Sequence, residues 1–287
     1  MKIFKNLFHK MKTTFIRLTN TSIPYIDDIK QFGNEAEDEF INTLINSLPH
    51  YEIKRNIIIN TPDGNAEIDL LILYENKLFS IEFKSWKGNL IEQENGFIQK
   101  KNDVWTNEVH TKVLKSPFKQ LQRAIYLLKS SNTVQSWITP IVYFDNTELE
   151  SLSIKSNNIW FANYNDIIDF IINNDIRPSK NTKNFFDNCV SGDHIYRYLG
   201  DKSLSCIINP YTLCFQTNEY IIHKKEIRSI RIKHHLSYDE LYIFLMDQSL
   251  KVLEVENGSI EVNVNGTKYL YYFSKIDYIE LGNTIKK

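Results

Sequence analysis

The sequence has few cysteines, almost no net charge and no run of 18 apolar residues, and each shortage excludes a class of protein. Without such a run, no segment has the length and apolar character of a transmembrane helix. The three cysteines, Cys189, Cys206 and Cys214, show no C-x-x-C spacing, which argues against a zinc site or a disulfide framework and favours a reducing cytoplasm. A net charge of −1 excludes a histone-like polycation, so nucleic-acid binding would have to come from local patches.

The 287 residues are enough for one large α/β domain and a smaller second domain, and 42% hydrophobic residues can fill a core in each. We predict an α/β domain over residues 31–175, a linker over 176–200 that could contain a short helix at FFDNCV (185–190), and an all-β, barrel-like domain over 201–287. Residues 1–30 form a basic amphipathic segment. We expect it to be a helix packed on its own domain or on a partner; contact with a membrane surface or a nucleic acid is the alternative, and membrane contact is the less expected of the two.

Apolar spacing and turn residues predict the main elements of the first domain. The predicted strands are 51–60, 66–74, 77–86, 138–144 and 158–162, and the predicted helices are 33–48, 165–172 and one that begins with Ser116 as its cap and Pro117 at its first position. After residue 200 only short strand-like runs follow. Helices that alternate with strands indicate an α/β domain, and the tail indicates an all-β one.

The stretch EIDLLILYENKLFSIEFKSWKG, residues 67–88, places charged residues inside two apolar strands. With a two-residue turn at Glu75 and Asn76, Asp69 would lie opposite Glu82, and Glu67 opposite Lys84. A four-residue loop keeps them on one face as well, whereas a three-residue loop turns Asp69 to the other side.

Two carboxylates on directly opposed strand positions repel each other unless a cation lies between them. Carboxylate oxygens at this spacing suit Mg²⁺ or Mn²⁺, which lowers the pKa of a bound water and stabilises charge on a phosphate oxygen. The ammonium of Lys84 would hold the attacking water or neutralise the transition state. The alternative is a cross-strand ion pair between Glu67 and Lys84 on a solvated face, which the apolar surroundings disfavour.

Four motifs in order carry a resemblance to a known family: GNEAE at 33–37, EID at 67–69, IEFKSWKG at 81–88 and SPFKQ at 116–120. Their order and spacing resemble the NERD (nuclease-related) domain, a branch of the PD-(D/E)xK restriction-endonuclease-like superfamily, over about residues 30–170. Ala36 and Ser85 depart from that pattern, where glycine and asparagine are common. The resemblance implies a mixed central sheet flanked by helices, and Mg²⁺-dependent endonuclease cleavage of DNA by a metal-dependent phosphodiesterase.

The resemblance also assigns roles to five residues. Asp69 and Glu82 would be the metal ligands and Lys84 the catalytic lysine. Glu37 would support the metal or its water, and Gln120 would lie near the substrate. Glu67 matches a motif position, but an ion pair to Lys84 explains it equally well.

An excess of Lys and Arg between residues 84 and 129 favours binding of a phosphate backbone, and we expect Lys87, Lys119 and Arg123 to contact it. Trp86 and Trp105 could stack on bases, although burial in the core is the favoured interpretation. Double-stranded DNA is the expected partner, with a homodimer or a protein of a system for defence against foreign DNA as further partners. The alternatives are a non-catalytic module that binds or senses nucleic acid, and cleavage of RNA or branched DNA.

Overall fold

The computed structural model describes residues 28–102, 109–145, 149–197, 202–216 and 221–286. The chain divides into two compact units: one contains residues 32–190 and 284–287, and the other contains residues 1–31 and 191–283. Residues 1–27 of the amphipathic segment predicted over 1–30 lie outside the described residues.

A six-stranded mixed sheet forms the centre of the unit that contains residues 32–190. Across the sheet, the strands are β20 (Thr284–Lys286), β1 (Glu52–Thr61), β2 (Gly64–Tyr74), β3 (Lys77–Lys84), β7 (Ile138–Phe144) and β9 (Trp160–Phe161). The pairs from β20 to β3 are antiparallel, and β3, β7 and β9 run parallel. Parallel neighbours need a crossover, and the chain between β3 and β7 supplies one.

Helices cover both faces of this sheet because apolar side chains point from it in both directions. They are α1 (Asp28–Ser47), α2 (Pro117–Ser131), α3 (Tyr164–Asn173) and α4 (Thr182–Asn188). The helices α1 and α3 pack on one face, and α2 and α4 pack on the other. Of the helices described, none is both long and apolar enough to cross a membrane.

The predicted start of α2 is confirmed. Ser116 has extended backbone angles, its side-chain oxygen accepts a hydrogen bond from the backbone N–H of Lys119 at 3.3 Å, and Pro117 begins the helix. Proline is tolerated there because the first helical N–H has no partner within the helix. The buried face of α2, which includes Leu121 and Leu128, then fixes the direction in which Gln120 points.

Three strands of a second, four-stranded sheet lie in the crossover between β3 and β7, and its fourth strand follows β7. Its strands, in order, are β6 (Val109–Lys115), β5 (Gly96–Asn102), β4 (Gly88–Gln93) and β8 (Leu149–Ser153). The strand β4 begins four residues after Lys84, and β6 ends directly before the cap of α2. Gly88 has a φ of +79°, and a Cβ at this position would lie 2.5 Å from the carbonyl oxygen of Lys100. Only glycine fits this close approach of β4 to β5.

The predicted linker over residues 176–200, in which a short helix at 185–190 was an alternative, contains the helix α4 and a further strand. Phe185 and Phe186 of α4 are fully buried in the core of the unit. The ammonium of Lys54 donates hydrogen bonds to the carbonyl oxygens of Phe186 at 2.7 Å and Cys189 at 2.6 Å, at the C-terminal end of α4. The polar residues of this stretch predicted a linker, but its two aromatic residues anchor α4 to the core.

In the other unit, the described residues between 191 and 283 form strands and connecting turns, with two short 3₁₀ turns at Lys224–Glu226 and Phe273–Lys275. Its eight-stranded sheet contains, in order, β16 (Leu250–Val255), β15 (Asp239–Leu245), β14 (Ile227–His234), β19 (Tyr278–Glu280), β10 (Asp193–Arg197), β11 (Lys202–Ile208), β17 (Ser259–Val264) and β18 (Thr267–Tyr272). The strands β12 (Cys214–Gln216) and β13 (Ile221–His223) form a separate pair.

The predicted all-β character of this region is confirmed, but the predicted barrel is not formed by the part of the chain that the structure describes. The sheet ends at β16 on one side and β18 on the other, and these two edges do not pair with each other. Leu250 and Val252 of β16 and Leu270 of β18 remain exposed, as expected for strands at open edges.

Candidate active site

The turn between β2 and β3 has two central residues, which is the length expected to place Asp69 opposite Glu82. Glu75 and Asn76 are its two central residues, with φ angles of 48° and 56°, and Tyr74 pairs with Lys77. Positive φ at both positions is typical of a type I′ turn, whose twist matches that of antiparallel strands. The predicted two-residue loop is therefore confirmed. The pairing ends at Leu70 and Ile81, and the same register places Asp69 opposite Glu82.

The pairing of β1 with β2 is interrupted at Asp69. Arg55 pairs with Leu70 and Ile57 pairs with Ile68, whereas Asn56, which would be the partner of Asp69, has a φ of 50°. On β2, Ile68 packs on the face of α2, whereas Leu70 packs on the face of α1. Regular alternation would put these two residues on one face, so the strand changes face at Asp69. Such irregularities redirect single side chains at functional sites.

The carboxyl group of Glu82 lies at the centre of the site. The residue is 0% exposed. Its Oε1 accepts a hydrogen bond from Gln120 Nε2 at 2.8 Å and a hydrogen bond from the ammonium of Lys84. Its Oε2 is buried and has no hydrogen-bond partner among the described residues. One oxygen is therefore fixed by two donors, and the other is available to a ligand.

Asp69 lies beside Glu82 and is fixed by the backbone of the neighbouring strand. Its Oδ2 accepts a hydrogen bond from the backbone N–H of Phe83 at 2.7 Å. This bond replaces a ladder hydrogen bond at the point where the pairing of β2 and β3 ends. This hydrogen bond fixes the carboxylate of Asp69 next to Glu82, because Phe83 directly follows Glu82 in β3.

Burial, the negative charge of Asp69 and, to a smaller extent, that of Glu67 together raise the pKa of Glu82 from 4.5 to about 7. The nearby ammonium of Lys84 acts in the opposite direction but does not offset these effects. For Lys84, burial alone would lower the pKa, but the carboxylates of Glu82, Asp69 and Glu37 outweigh it, and the pKa is raised. Lys84 therefore keeps its positive charge at neutral pH.

Glu37 reaches this site from α1, and a buried arginine holds it. Arg55 is 6% exposed, and its Nη2 lies 3.2 Å from Glu37 Oε1 while its Nη1 lies 2.8 Å from Asp38 Oδ1. Glu37 still contributes to the raised pKa of Lys84. Its carboxylate is thus positioned by Arg55 and acts on the lysine electrostatically.

The donor set fits a small divalent cation. Glu82 Oε2 is a buried carboxylate oxygen with no described partner, and Asp69 is a second carboxylate at the same end of the hairpin. Mg²⁺ takes one or two protein carboxylates and keeps waters or substrate phosphates as its other ligands. No group of three or more His, Cys, Asp or Glu side chains suited to hold a metal occurs among the described residues, so a site with a protein-only ligand shell is not present there.

Of the three residues expected to bind nucleic acid, Lys119 and Arg123 lie on α2 with Gln120, and Lys87 follows β3. Lys119 is exposed one residue before Gln120, and its Nζ donates to Glu94 O and Asn95 Oδ1, both at 3.0 Å, in the turn between β4 and β5. Arg123 is exposed one helical turn later and donates to Asp63 O at 3.4 Å. Lys87 follows β3, and its carbonyl oxygen accepts a hydrogen bond from Gln99 at 2.9 Å.

The structure describes one of the two tryptophans that were considered for base stacking. Trp86 is half-buried, and its ring centroid lies 5.6 Å from that of Phe97 and 5.9 Å from that of Phe144. It therefore packs against the core, as the favoured interpretation predicted. Trp105 lies outside the described residues.

Two site residues were not anticipated from the sequence, namely Arg55 and Asn56. The run YEIKRNIIIN was interpreted only as a strand, although a charged and an amide residue inside an apolar run were a usable signal. Asn56 is 6% exposed, and its Nδ2 has no hydrogen-bond partner among the residues described.

Comparison with protein families gives a match for the segment that carries this site. Residues 32–145 match the family model described as nuclease-related domain, NERD. These residues form a nuclease-related domain. The match covers α1, the hairpin and α2, and therefore every residue assigned a role in the site. Neither the curated proteins nor the solved structures contain a significant match to the chain.

Proposed function

We propose that the protein is a metal-dependent endonuclease that hydrolyses phosphodiester bonds of DNA, with Asp69 and Glu82 as ligands of Mg²⁺ or Mn²⁺ and Lys84 as the catalytic lysine. The observation that carries this proposal is the carboxyl group of Glu82, which has one oxygen bound by Lys84 and Gln120 and the other buried without a described partner. Membership of residues 32–145 in the nuclease-related family supports it. The mixed sheet with helices on both faces is compatible with a restriction-endonuclease-like core.

Lys84 is placed to stabilise negative charge. Its pKa is raised, so it is an ammonium at neutral pH, and its partner Glu82 lies two residues away on the same face of β3. A positive charge fixed in a partly buried site stabilises charge that grows on a phosphate far better than it would in water.

Gln120 and Glu37 position the reacting groups. The side-chain amide of Gln120 donates a hydrogen bond to Glu82 Oε1. Because the two oxygens belong to one planar carboxyl group, this bond also fixes the direction of Oε2. Glu37, held by Arg55, adds negative charge near Lys84 and keeps it protonated. A divalent cation bound by Asp69 and Glu82 would supply a more acidic water and a Lewis acid for the phosphate.

DNA is preferred over RNA in this proposal on the basis of family resemblance, since the same residues would serve either phosphodiester. Lys87, Lys119 and Arg123 are the residues proposed to contact the phosphate backbone. Lys119 and Arg123 are exposed and lie on the same helix as Gln120. Sequence-independent contacts of this kind weaken as the salt concentration rises.

The test is cleavage of supercoiled and linear DNA by the full chain with Mg²⁺, with Mn²⁺ and with a chelator. We expect wild-type protein to cleave with either metal, and Lys84→Ala and Glu82→Gln to lose at least 100-fold in rate, as is typical when charge stabilisation is removed. Lys180→Ala, at an exposed loop position, is the matched control and should cleave like wild type. Equal rates for Lys84→Ala and wild type, purified identically, would show that the cleavage comes from a contaminant.

A non-catalytic module that binds or senses nucleic acid is the second candidate. It is favoured by the absence, among the described residues, of three side chains suited to hold a metal. In that case DNA binding persists while no metal supports cleavage. Defence against foreign DNA stays a prediction, and it is tested by phage plaque counts in cells that express wild type or Lys84→Ala.

A further inference from the structure

Two neighbouring strands form the outer half of the four-stranded sheet beside the candidate site, where β6 is the exposed edge and β5 pairs with β4 on its other side. They are β5 (Gly96–Asn102) and β6 (Val109–Lys115), paired in antiparallel register. The strand β6 is the edge of its sheet. All its residues except Leu114 are exposed, on both faces of the sheet. Val113 is 79% exposed and Val109 is 58% exposed, which is unusual for apolar residues of a strand. We call these two strands the basic ribbon.

The basic ribbon has positive charge and no negative charge in its described residues. It contains four lysines, at positions 100, 101, 112 and 115, together with His110, and neither strand contains Asp or Glu. All four lysines are exposed, and none makes an ion pair with a described residue. Lys101 and Lys112 point to one face of the ribbon, and Lys100 and Lys115 point to the other, because side chains alternate along each strand. Positive charge therefore lies on both sides.

The core of the nuclease-related domain anchors the basic ribbon at the candidate site. Phe97 of β5 is fully buried, and its ring centroid lies 6.1 Å from that of Phe118 on α2. Gln99 Nε2 donates to the carbonyl oxygen of Lys87, three residues after Lys84. In the chain, the ribbon lies between Lys84 and Gln120, so both of its ends connect to segments that hold Glu82.

The dimensions of the ribbon suit the major groove of duplex DNA. That groove is about 12 Å wide and admits a two-stranded β-ribbon, and paired strands are about 4.8 Å apart. Seven residues of β6 extend about 24 Å at ~3.4 Å per residue, which corresponds to about seven base pairs. Lysines on both faces could then reach phosphates of both DNA strands that border the groove.

We propose that the basic ribbon enters the major groove of B-form DNA and holds the duplex against the candidate site. The proposal deepens the proposed function, because it rests on DNA as the substrate. The four lysines contact phosphates, and the exposed valines face the base edges, where apolar side chains contact thymine methyl groups. Duplex RNA does not fit, because the major groove of its A-form helix is too narrow and deep for side chains to read.

The expected effect follows from counterion release. Each phosphate contact contributes about 0.9 to the slope of log K against log salt. A variant that has lost two contacts, and that binds like wild type at 1 M salt, should therefore bind about 60-fold more weakly than wild type at 0.1 M salt. The loss of all four would lower the slope by up to about 3.6. A ribbon whose lysines only protect an edge strand from aggregation would leave both quantities unchanged.

The experiment measures binding of a fluorescent 20-base-pair DNA duplex to the full chain by anisotropy, in EDTA so that no cleavage occurs, at several salt concentrations. The test variant carries Lys→Gln at positions 100, 101, 112 and 115. The matched control carries Lys→Gln at four exposed lysines elsewhere, at positions 180, 225, 268 and 275, and so changes the net charge equally. A third variant carries Lys→Arg at the four ribbon positions, and each variant is checked for an unchanged melting temperature.

We expect the ribbon Gln variant to lose at least 60-fold in affinity with a lower salt slope, while the control and the Arg variant bind like wild type. Equal losses in the ribbon variant and the control would mean that overall charge decides, which overturns the proposal, as would no loss in either. Ribbon-dependent binding without metal-dependent cleavage supports this inference while refuting the proposed nuclease activity.

Two further readouts address the groove. Methylation of guanine N7, which lies in the major groove, should interfere with binding, whereas methylation of adenine N3 in the minor groove should not. The ribbon Gln variant should lose less affinity for a duplex RNA of the same sequence than for DNA. Interference only at adenine N3, or equal losses on DNA and RNA, would exclude the major groove.

Discussion

The buried carboxyl group of Glu82 should make the stability of the nuclease-related domain depend on pH in a predictable direction. Its pKa is raised, from 4.5 to about 7, chiefly by burial. A raised pKa means that the folded protein holds the proton more tightly than the unfolded chain does. The contribution of Glu82 to the free energy of unfolding is therefore largest below about pH 4.5, and it decreases as the pH rises to about 7.

The size of this fall follows from the pKa values. A rise from 4.5 to about 7 corresponds to about 3 kcal/mol, at 1.36 kcal/mol for each pH unit between the two values. In Glu82→Gln the side chain cannot ionise, so this contribution disappears. Between pH 5 and pH 8 the wild type should therefore lose about 2.5 kcal/mol more than the variant, or about 5–10 °C in melting temperature for a unit of this size.

The chain offers a selective probe for this measurement. The four tryptophans of the sequence, at positions 86, 105, 137 and 160, all fall within the residue range 32–190, and the three that the structure describes lie in that unit. Tryptophan fluorescence during urea unfolding at pH 5, 6, 7 and 8 in EDTA therefore reports on that unit. Glu94→Gln, at an exposed position in the turn between β4 and β5, is the control and should titrate like wild type. Parallel pH curves for wild type and Glu82→Gln would refute the assignment of Glu82 as a buried, protonated carboxyl group.

Addition of Mg²⁺ extends the same measurement. A cation that binds the ionised carboxylate stabilises the folded state by an amount that grows with its concentration. The loss of stability between pH 5 and pH 8 should then become smaller in wild type, and Glu82→Gln should not respond. Equal responses of the two proteins would place the cation elsewhere.

Three further substitutions test the supporting residues. Gln120→Ala removes a hydrogen bond to the buried carboxyl group of Glu82, so the free energy of unfolding should fall by about 0.5–1.5 kcal/mol and DNA cleavage should slow because Glu82 loses a group that positions it, whereas Gln122→Ala should have no effect. Arg55→Met leaves two acidic side chains without their buried partner and should lower the free energy of unfolding by about 3 kcal/mol, whereas Glu39→Gln on the exposed face of α1 should not. Gly88→Ala places a Cβ 2.5 Å from a carbonyl oxygen and strains a positive φ, so it should destabilise the unit and weaken DNA binding together. Rates of cleavage, urea unfolding and anisotropy check these outcomes, and an unchanged cleavage rate of Gln120→Ala or a fully stable Arg55→Met would contradict the site described here.

Local sequence determined several parts of this protein. The Ser116–Pro117 start of α2 and the Glu75–Asn76 turn depend on the conformational preferences of a few adjacent residues, so they could be predicted without tertiary contacts. Once the turn has two residues, the alternation of side chains along β3 puts Glu82 and Lys84 on one face. The order of four short motifs then identified the family.

Only the tertiary structure decided which groups meet around Glu82. The contact with Gln120 joins residues 38 positions apart, and Arg55 binds Glu37 across 18 positions, through packing of two helices on the sheet that no local pattern encodes. The change of face at Asp69 arises from an interrupted pairing with β1, which regular alternation cannot predict. The sequence left open whether the predicted linker contains a short helix at residues 185–190, and burial of Phe185 and Phe186 in the core decided that α4 forms there. Long-range burial, which local propensity does not contain, is the physical reason for each of these differences.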